Sequence, residues 1–163
     1  MTRLSLSKQL MVKYRLLEPK ELKALEDDFV NYLVVQGITA DEWEKLKKEE
    51  VEKAERITDL FSDVVFEKIM RNTQFLDFVS PSNIQSIQCG SDKMVMVGIQ
   101  AKSTHIDLSK TPISELNPDE FQLFKGEKYY EGVREEELFK MTEKGYQISD
   151  GQLFKKLILV TVE

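Results

Sequence analysis

The stretch I-T-D-L-F-S-D-V-V-F-E-K-I-M (57–70) is the most apolar helical segment of the sequence. At about 100° per residue, one broad face collects six apolar residues: Ile57, Leu60, Phe61, Val64, Val65 and Ile69. A second side combines apolar and acidic residues: Asp59, Asp63, Phe66, Glu67 and Met70. A helix that is apolar on two sides is either a central core element or one whose second face meets a partner.

Upstream of this segment, the pattern predicts a helical hairpin. Pro19 suits the first position of a helix, and Gly37 suits its end. Thr39 and Glu42 then have the spacing of a capping box, and Ile38 and Trp43 that of a hydrophobic staple. We therefore interpret Trp43 as a residue that fastens the turn between two antiparallel helices.

The charged stretch that follows leaves a helix boundary open. Opposite charges recur four residues apart from Glu44 to Arg56, which favours a solvated helical surface. We expect a second helix to end near Lys48 and a third to begin near Glu50. One continuous helix is the alternative.

Downstream, the sequence changes to a strand pattern. Three segments read as strands separated by turns: F-L-D-F-V (75–79), I-Q-S-I-Q-C (84–89) and K-M-V-M-V-G-I-Q-A (93–101). A further short strand is predicted at 105–108. The order of these elements indicates a small antiparallel sheet after a helical hairpin.

Further helices are predicted towards the C-terminus. Asn117 and Pro118 have the spacing of a capped helix start, and Arg134 to Lys144 reads as a helix that ends at Gly145. For residues 150–162 we favour a helix, because Ser149 and Gln152 match a capping box. The alternative is a hairpin turn at Asp150-Gly151 followed by a β-branched strand.

The predicted fold is α+β, with an N-terminal helical hairpin, a central helix, a small antiparallel sheet and C-terminal helices. We expect one globular domain over residues 13–163, preceded by a flexible extension over residues 1–12. A chain of 163 residues is long enough for one domain with a core of its own.

Composition excludes several functional classes. The single cysteine and single histidine cannot supply a disulfide or a Cys/His zinc set, which favours a reducing cytoplasm. We find no apolar run long enough to span a bilayer and no phosphate-binding or hydrolase motif. The net charge of −6 argues against a protein that binds duplex DNA, and nothing in the sequence calls for a cofactor.

The leading functional hypothesis is a non-enzymatic interaction or regulatory module whose partner is another protein. Its candidate interface is the second side of the central helix: Asp59, Asp63, Phe66, Glu67 and Met70. An apolar spot in an acidic frame suits a basic amphipathic partner. The hypothesis requires Phe66 and Met70 to be exposed.

A small hydrolase is the alternative. The carboxylates of Asp59, Asp63 and Glu67, spaced by four, could bind Mg²⁺ or Mn²⁺ or act as general acids. Cys89, with His105 and Asp107, could instead form a triad for acyl transfer. Both versions require these side chains to converge in one pocket.

A third hypothesis is RNA contact through the basic N-terminus. Residues 1–20 contain one acidic residue and five basic ones, a balance of +4 that leaves −10 for the rest. The basic residues are Arg3, Lys8, Lys13, Arg15 and Lys20. Such contact would weaken steeply as salt rises.

Three segments carry a resemblance to a known family: K-Y-R-L-L (13–17), F-V-N-Y-L-V-V-Q-G-I-T-A-D-E-W (29–43) and L-F-S-D-V-V-F-E-K-I-M (60–70). Over about residues 13–70 the chain resembles an uncharacterised family of short bacterial proteins that forms a domain of unknown function. That family opens with the equivalent of M-x-K-Y-R, which implies Met11 as the natural start. The resemblance implies no activity and no functional residue.

Overall fold

The computed structural model describes residues 12–161. The chain forms two compact units, one up to Ile69 and one from Met70. The described residues contain six α-helices and a five-stranded antiparallel sheet, so the predicted α+β class is confirmed. Residues 1–11 of the predicted extension lie outside the described part, and the single domain over residues 13–163 stays a prediction.

The first unit is helical. Its helices are α1 (Pro19–Ala24), α2 (Glu26–Val35), α3 (Ala40–Glu49) and α4 (Val51–Asn72), the last of which continues past the boundary at Ile69. The predicted boundary near Glu50 is confirmed. The predicted single helix from Pro19 to Gly37 is instead divided at Leu25, whose φ of −104° and ψ of 21° leave the helical region.

The capping box at the joint between α2 and α3 forms as the sequence predicts. The Thr39 hydroxyl accepts the Glu42 N–H at 3.1 Å, while Glu42 accepts the Thr39 N–H at 3.0 Å. Trp43 packs edge-on against Phe29, with ring centroids 5.2 Å apart, and Phe29 in turn contacts Phe61 at 5.0 Å. Trp43 therefore joins α2 and α3 through an aromatic cluster that reaches α4.

The second unit is built on the sheet, with strand order β4-β3-β2-β1-β5. Three strands match the predicted ones closely: β1 (Phe75–Val79), β2 (Asn83–Cys89) and β3 (Lys93–Ala101). The other two strands are not predicted from the sequence: β4 (Phe121–Tyr129) and β5 (Gln147–Ser149).

Two local predictions in this unit are wrong. Asn117 caps only a 3₁₀ turn, Pro118–Glu120, after which the chain enters β4 instead of continuing as a helix. Pairing along the whole of β3 outweighs the local helix signal there. The predicted strand at 105–108 is a turn, because the Asp107 carboxylate accepts the N–H of Ser109 at 3.0 Å.

Two helices complete the second unit, α5 (Arg134–Glu143) and α6 (Gln152–Thr161). The C-terminal tail is thus the favoured helix, and it begins where Asp150 accepts the Gln152 N–H at 3.1 Å. Gly151 precedes it with φ +89°, and a Cβ at this position would lie 2.6 Å from the Phe75 ring. Leu157 of α6 packs against the sheet in a buried core with these residues: Ile84, Val97, Ile99, Leu108 and Phe121.

Candidate functional site

The predicted interface on α4 holds a segment of its own chain. We call residues 13–17, K-Y-R-L-L, the N-terminal strap. The Asp63 carboxylate accepts the backbone N–H of Lys13 at 3.0 Å and that of Tyr14 at 3.1 Å. Further along, the Leu17 N–H donates to the Ser62 hydroxyl at 3.2 Å. The strap therefore follows α4 through hydrogen bonds from its backbone.

Glu67 holds the same strap through side chains. Its Oε2 accepts a hydrogen bond from the Lys13 ammonium at 3.0 Å and another from the Tyr14 hydroxyl. The Lys13 ammonium neutralises the charge of the Glu67 carboxylate, and the Tyr14 hydroxyl gives the same oxygen a second hydrogen bond. Glu67, one of the acidic residues of the predicted interface, therefore binds a segment of its own chain.

Phe66 is covered by the strap as well. The Arg15 guanidinium carbon lies 4.5 Å from the Phe66 ring centroid, and the Tyr14 ring centroid lies 6.3 Å from it. Phe66 is only 6% exposed and Met70 only 3%. The interface prediction requires both side chains to be exposed, and the structure does not meet this requirement.

Asp59, the remaining predicted interface residue, is buried next to the strap residues Leu16 and Leu17. It lines a cleft of about 440 Å³ together with Trp43, Lys47 and Ser62. Throughout residues 12–161, no set of three or more His, Cys, Asp or Glu side chains is placed to hold a metal ion. The structure therefore does not assemble Asp59, Asp63 and Glu67 into the predicted metal site.

The predicted cysteine triad does not form either. Cys89 ends β2, whereas the segment that follows His105 lies at the other end of that strand, where the Leu108 N–H donates to the carbonyl of Pro81 at 2.8 Å. Those ends of β2 are separated by about 20 Å at roughly 3.3 Å per residue. Burial also raises the pKa of the Cys89 thiol to about 11, so the nucleophilic thiolate is disfavoured.

The basic N-terminal residues are partly described. Arg3 and Lys8 lie outside the described residues, and Lys13 is paired with Glu67. Arg15 donates to both carboxylate oxygens of Glu21, at 2.7 and 2.9 Å, and this contact lowers the pKa of Glu21 to about 2. Two of the cations proposed to contact RNA are thus already bound to carboxylates of this chain.

An apolar groove in the first unit was not predicted from the sequence. It lies between α2 and α4 and has a volume of about 580 Å³. The residues that line it follow the i, i+3, i+4, i+7 pattern of one helix face. They are Leu25 just before α2, Asp28, Asn31, Tyr32, Val35 and Gln36 on one side, and Phe61, Val64, Val65, Lys68 and Ile69 on the other. Helical spacing on both walls gives the groove the shape that receives a third helix.

Three apolar side chains are exposed at this groove, beside exposed polar side chains such as Lys68. Val35 is 80% exposed, Val64 is 51% exposed and Ile69 is 40% exposed. Val64 and Ile69 belong to the broad apolar face predicted for the central helix, yet both are exposed, while Phe66 is buried. The sequence feature that could have indicated this groove is the consecutive pair Val34 and Val35, because one apolar stripe of a helix cannot bury two consecutive residues.

Charge in the first unit is predominantly negative. Residues 12–69 contain ten basic and fifteen acidic side chains, a balance of −5. The first turn of α2 carries Glu26, Asp27 and Asp28, and Asp28 also lines the groove. A partner with positive charge beside its apolar residues would be complementary to this surface.

Comparison with known proteins identifies a family and no activity. The model of a family of unknown function (DUF6495) matches residues 11–161. The search of curated proteins and that of solved structures find no match. Across the helices of residues 12–161, none combines the length and the apolar character needed to cross a membrane.

Proposed function

The chain belongs to this family of unknown function, and we propose that it acts as a non-enzymatic protein-interaction module of regulatory type. The apolar groove between α2 and α4 is its contact surface, and cytoplasmic localisation is part of the same proposal. The observation that carries it is the exposure of Val35, Val64 and Ile69 along one groove. Apolar side chains that are exposed together along one groove, unlike single ones scattered over a surface, are typical of a site that binds a partner.

The proposed occupant is an amphipathic helix that carries basic residues beside its apolar face. The helical spacing of the lining residues fits a helix laid along the groove. The groove itself carries one acidic and one basic side chain, Asp28 and Lys68, so the choice of a basic partner rests on the excess of acidic residues over the rest of residues 12–69. This retains the partner chemistry expected from the sequence and moves the contact away from Phe66, which the strap covers.

A synthetic helical peptide tests the proposal directly. A fluorescein-labelled peptide of leucine and lysine at helical spacing is titrated with the protein, and its binding is followed by fluorescence polarisation. We expect it to bind, and an analogue with glutamate in place of lysine not to bind. Equal binding of both peptides would overturn the choice of a basic partner.

Matched variants locate the contact. Val35→Ser removes an apolar group from the groove, whereas Val34→Ser changes its neighbour on α2, which is 67% exposed and does not line the groove. We expect Val35→Ser to weaken peptide binding roughly tenfold, because the variant loses about two methyl groups that the bound peptide would bury. Equal effects of the two variants, or none, would contradict the groove as the contact.

A further inference from the structure

A cluster of neutral amide side chains lies on one face of the sheet in the second unit. Asn83 of β2 pairs with Gln100 of β3, and Gln100 pairs with Gln122 of β4. Directly opposed residues of antiparallel strands project to the same face, and Gln85 follows Asn83 at the two-residue period. With Phe124, these four amides line a cavity of about 290 Å³.

Phe124 provides an aromatic surface in this cavity because its neighbour is glycine. Gly98 lies between Gln85 and Phe124 in the register of the sheet. A Cβ at Gly98 would lie 2.3 Å from Cζ of the Phe124 ring, so the ring crosses directly over the glycine backbone. The ring remains partly exposed, which leaves part of its surface open to a ligand.

Asn83 contributes an acceptor that is buried and unsatisfied. Its backbone is fixed in the turn before β2, where its N–H donates to the Ser80 hydroxyl at 3.0 Å and its carbonyl accepts the Ser80 N–H at 2.8 Å. Among residues 12–161, no group donates to its side-chain Oδ1. Buried polar atoms are nearly always hydrogen-bonded, so a ligand hydroxyl at this point would supply a missing donor.

The lining of the cavity defines the chemistry of its ligand. None of the five described residues that line it is charged, and each amide can both donate and accept hydrogen bonds. The Phe124 ring favours an apolar surface with weakly positive hydrogens. A sugar ring combines hydroxyl groups around its edge with such C–H surfaces above and below.

We infer that this cavity binds a neutral saccharide of one or two rings, with Phe124 under the sugar ring and the amides at its hydroxyl groups. The volume of about 290 Å³ suits so small a ligand, since ligand cavities begin near roughly 300 Å³. A nucleobase is also neutral and could stack on the Phe124 ring. Nucleic acids carry phosphates, however, and the residues that line this cavity include no cation to bind them. The inference does not depend on the apolar groove, which lies in the other unit.

The test is a titration of the ¹⁵N-labelled full chain with methyl glucoside, methyl galactoside, N-acetylglucosamine, maltose and cellobiose, observed by NMR. We expect at least one sugar to shift the side-chain amide signals of Gln85, Gln100 and Gln122 at millimolar concentration. If none of these sugars shifts them, or if adenosine or uridine does so and the sugars do not, the inference is wrong.

Matched variants separate binding from stability. Phe124→Leu and Gln122→Ala are each expected to weaken the sugar affinity about tenfold. Gln88→Ala is the control, because Gln88 is also an exposed strand glutamine but projects from the opposite face of the sheet. Gln122 is exposed at the edge strand, so its variant keeps the fold even if Phe124→Leu does not. Equal affinities of Gln122→Ala and Gln88→Ala would overturn the placement of the sugar.

Discussion

The guanidinium of Arg15 lies 4.5 Å from the ring centroid of Phe66 and covers it. The same guanidinium donates to both carboxylate oxygens of Glu21, which holds it in place over the ring. The strap thus covers Phe66 and its acidic neighbours on α4, the surface predicted from the sequence to bind a partner. Val64 and Ile69, on the other apolar face of α4, remain exposed at the groove.

The first prediction concerns Asp63, which accepts two backbone N–H groups of the strap. We expect Asp63→Ala to lower the free energy of unfolding by about 1–3 kcal/mol, because two donors lose a charged acceptor. Asp63→Asn is expected to have a smaller effect, since one amide oxygen remains. Urea denaturation followed by circular dichroism measures both.

The control for Asp63 is Glu49→Ala. Glu49 makes only a 4.0 Å contact with Lys45 between two highly exposed side chains, so its loss should change stability by less than about 0.5 kcal/mol. Equal losses for Asp63→Ala and Glu49→Ala would show that the strap contributes nothing to the stability of the first unit.

The second prediction concerns pH and Glu21. The hydrogen bonds from Arg15 lower the pKa of Glu21 from 4.5 to about 2 in the folded chain. Because the pKa of Glu21 is lower in the folded chain than in the unfolded chain, the ionised carboxylate stabilises the folded state. This stabilisation is complete above pH 4.5 and is lost as the pH falls towards 2. Because the pair is largely exposed, the contribution is under about 1 kcal/mol.

Glu21→Gln isolates this effect. The difference in unfolding free energy between the wild type and Glu21→Gln should be constant at neutral pH and shrink between pH 4.5 and 2. Added salt should reduce it, since exposed pairs are screened. A difference that does not vary with pH would mean that the ionised Glu21 contributes no stability through Arg15.

Local and long-range features of this fold differ in how well the sequence predicts them. The Thr39 cap and the limits of β1 to β3 depend on neighbouring residues, and they are predicted correctly. The identity of β4 and the buried face of α4 depend on distant partners: the whole of β3 in one case, and the strap in the other. Periodicity identifies two apolar faces on α4 but cannot specify which one the strap covers.

The candidate sites show the same limit. Helical periodicity places Asp63, Phe66 and Glu67 on one side of a helix, where the strap contacts all three. It does not identify their partners, because Lys13 and Tyr14 lie about fifty residues away in the chain. The cavity at Asn83 depends on the register of three strands, of which β4 has no clear signal of its own.

The third prediction concerns Arg134, which binds four main-chain carbonyls in the second unit. Its guanidinium donates to the oxygens of Met70 at 3.0 Å, Thr73 at 2.6 Å, Cys89 at 3.1 Å and Gly90 at 2.8 Å. A lysine ammonium cannot reach four acceptors in this planar arrangement. We expect Arg134→Lys to lower the free energy of unfolding by about 3 kcal/mol, measured by urea denaturation.

Arg56→Lys is the matched control for Arg134. Arg56 is exposed on α4, so the same substitution there should change stability by less than about 0.5 kcal/mol. If Arg134→Lys is no more destabilising than Arg56→Lys, the four carbonyl contacts are not a source of stability.

The fourth prediction concerns the reactivity of Cys89. The thiol is buried, and its pKa of about 11 leaves roughly one thiolate in a thousand at pH 8. We expect an aromatic disulfide reagent to label the native chain only as fast as it opens, and to label it rapidly in concentrated urea. Arg134→Lys should accelerate native labelling about tenfold for each 1.4 kcal/mol of stability lost, because the open state is then more populated. Rapid labelling of the stable wild type would contradict the burial of Cys89 and would restore a cysteine-dependent activity as a hypothesis.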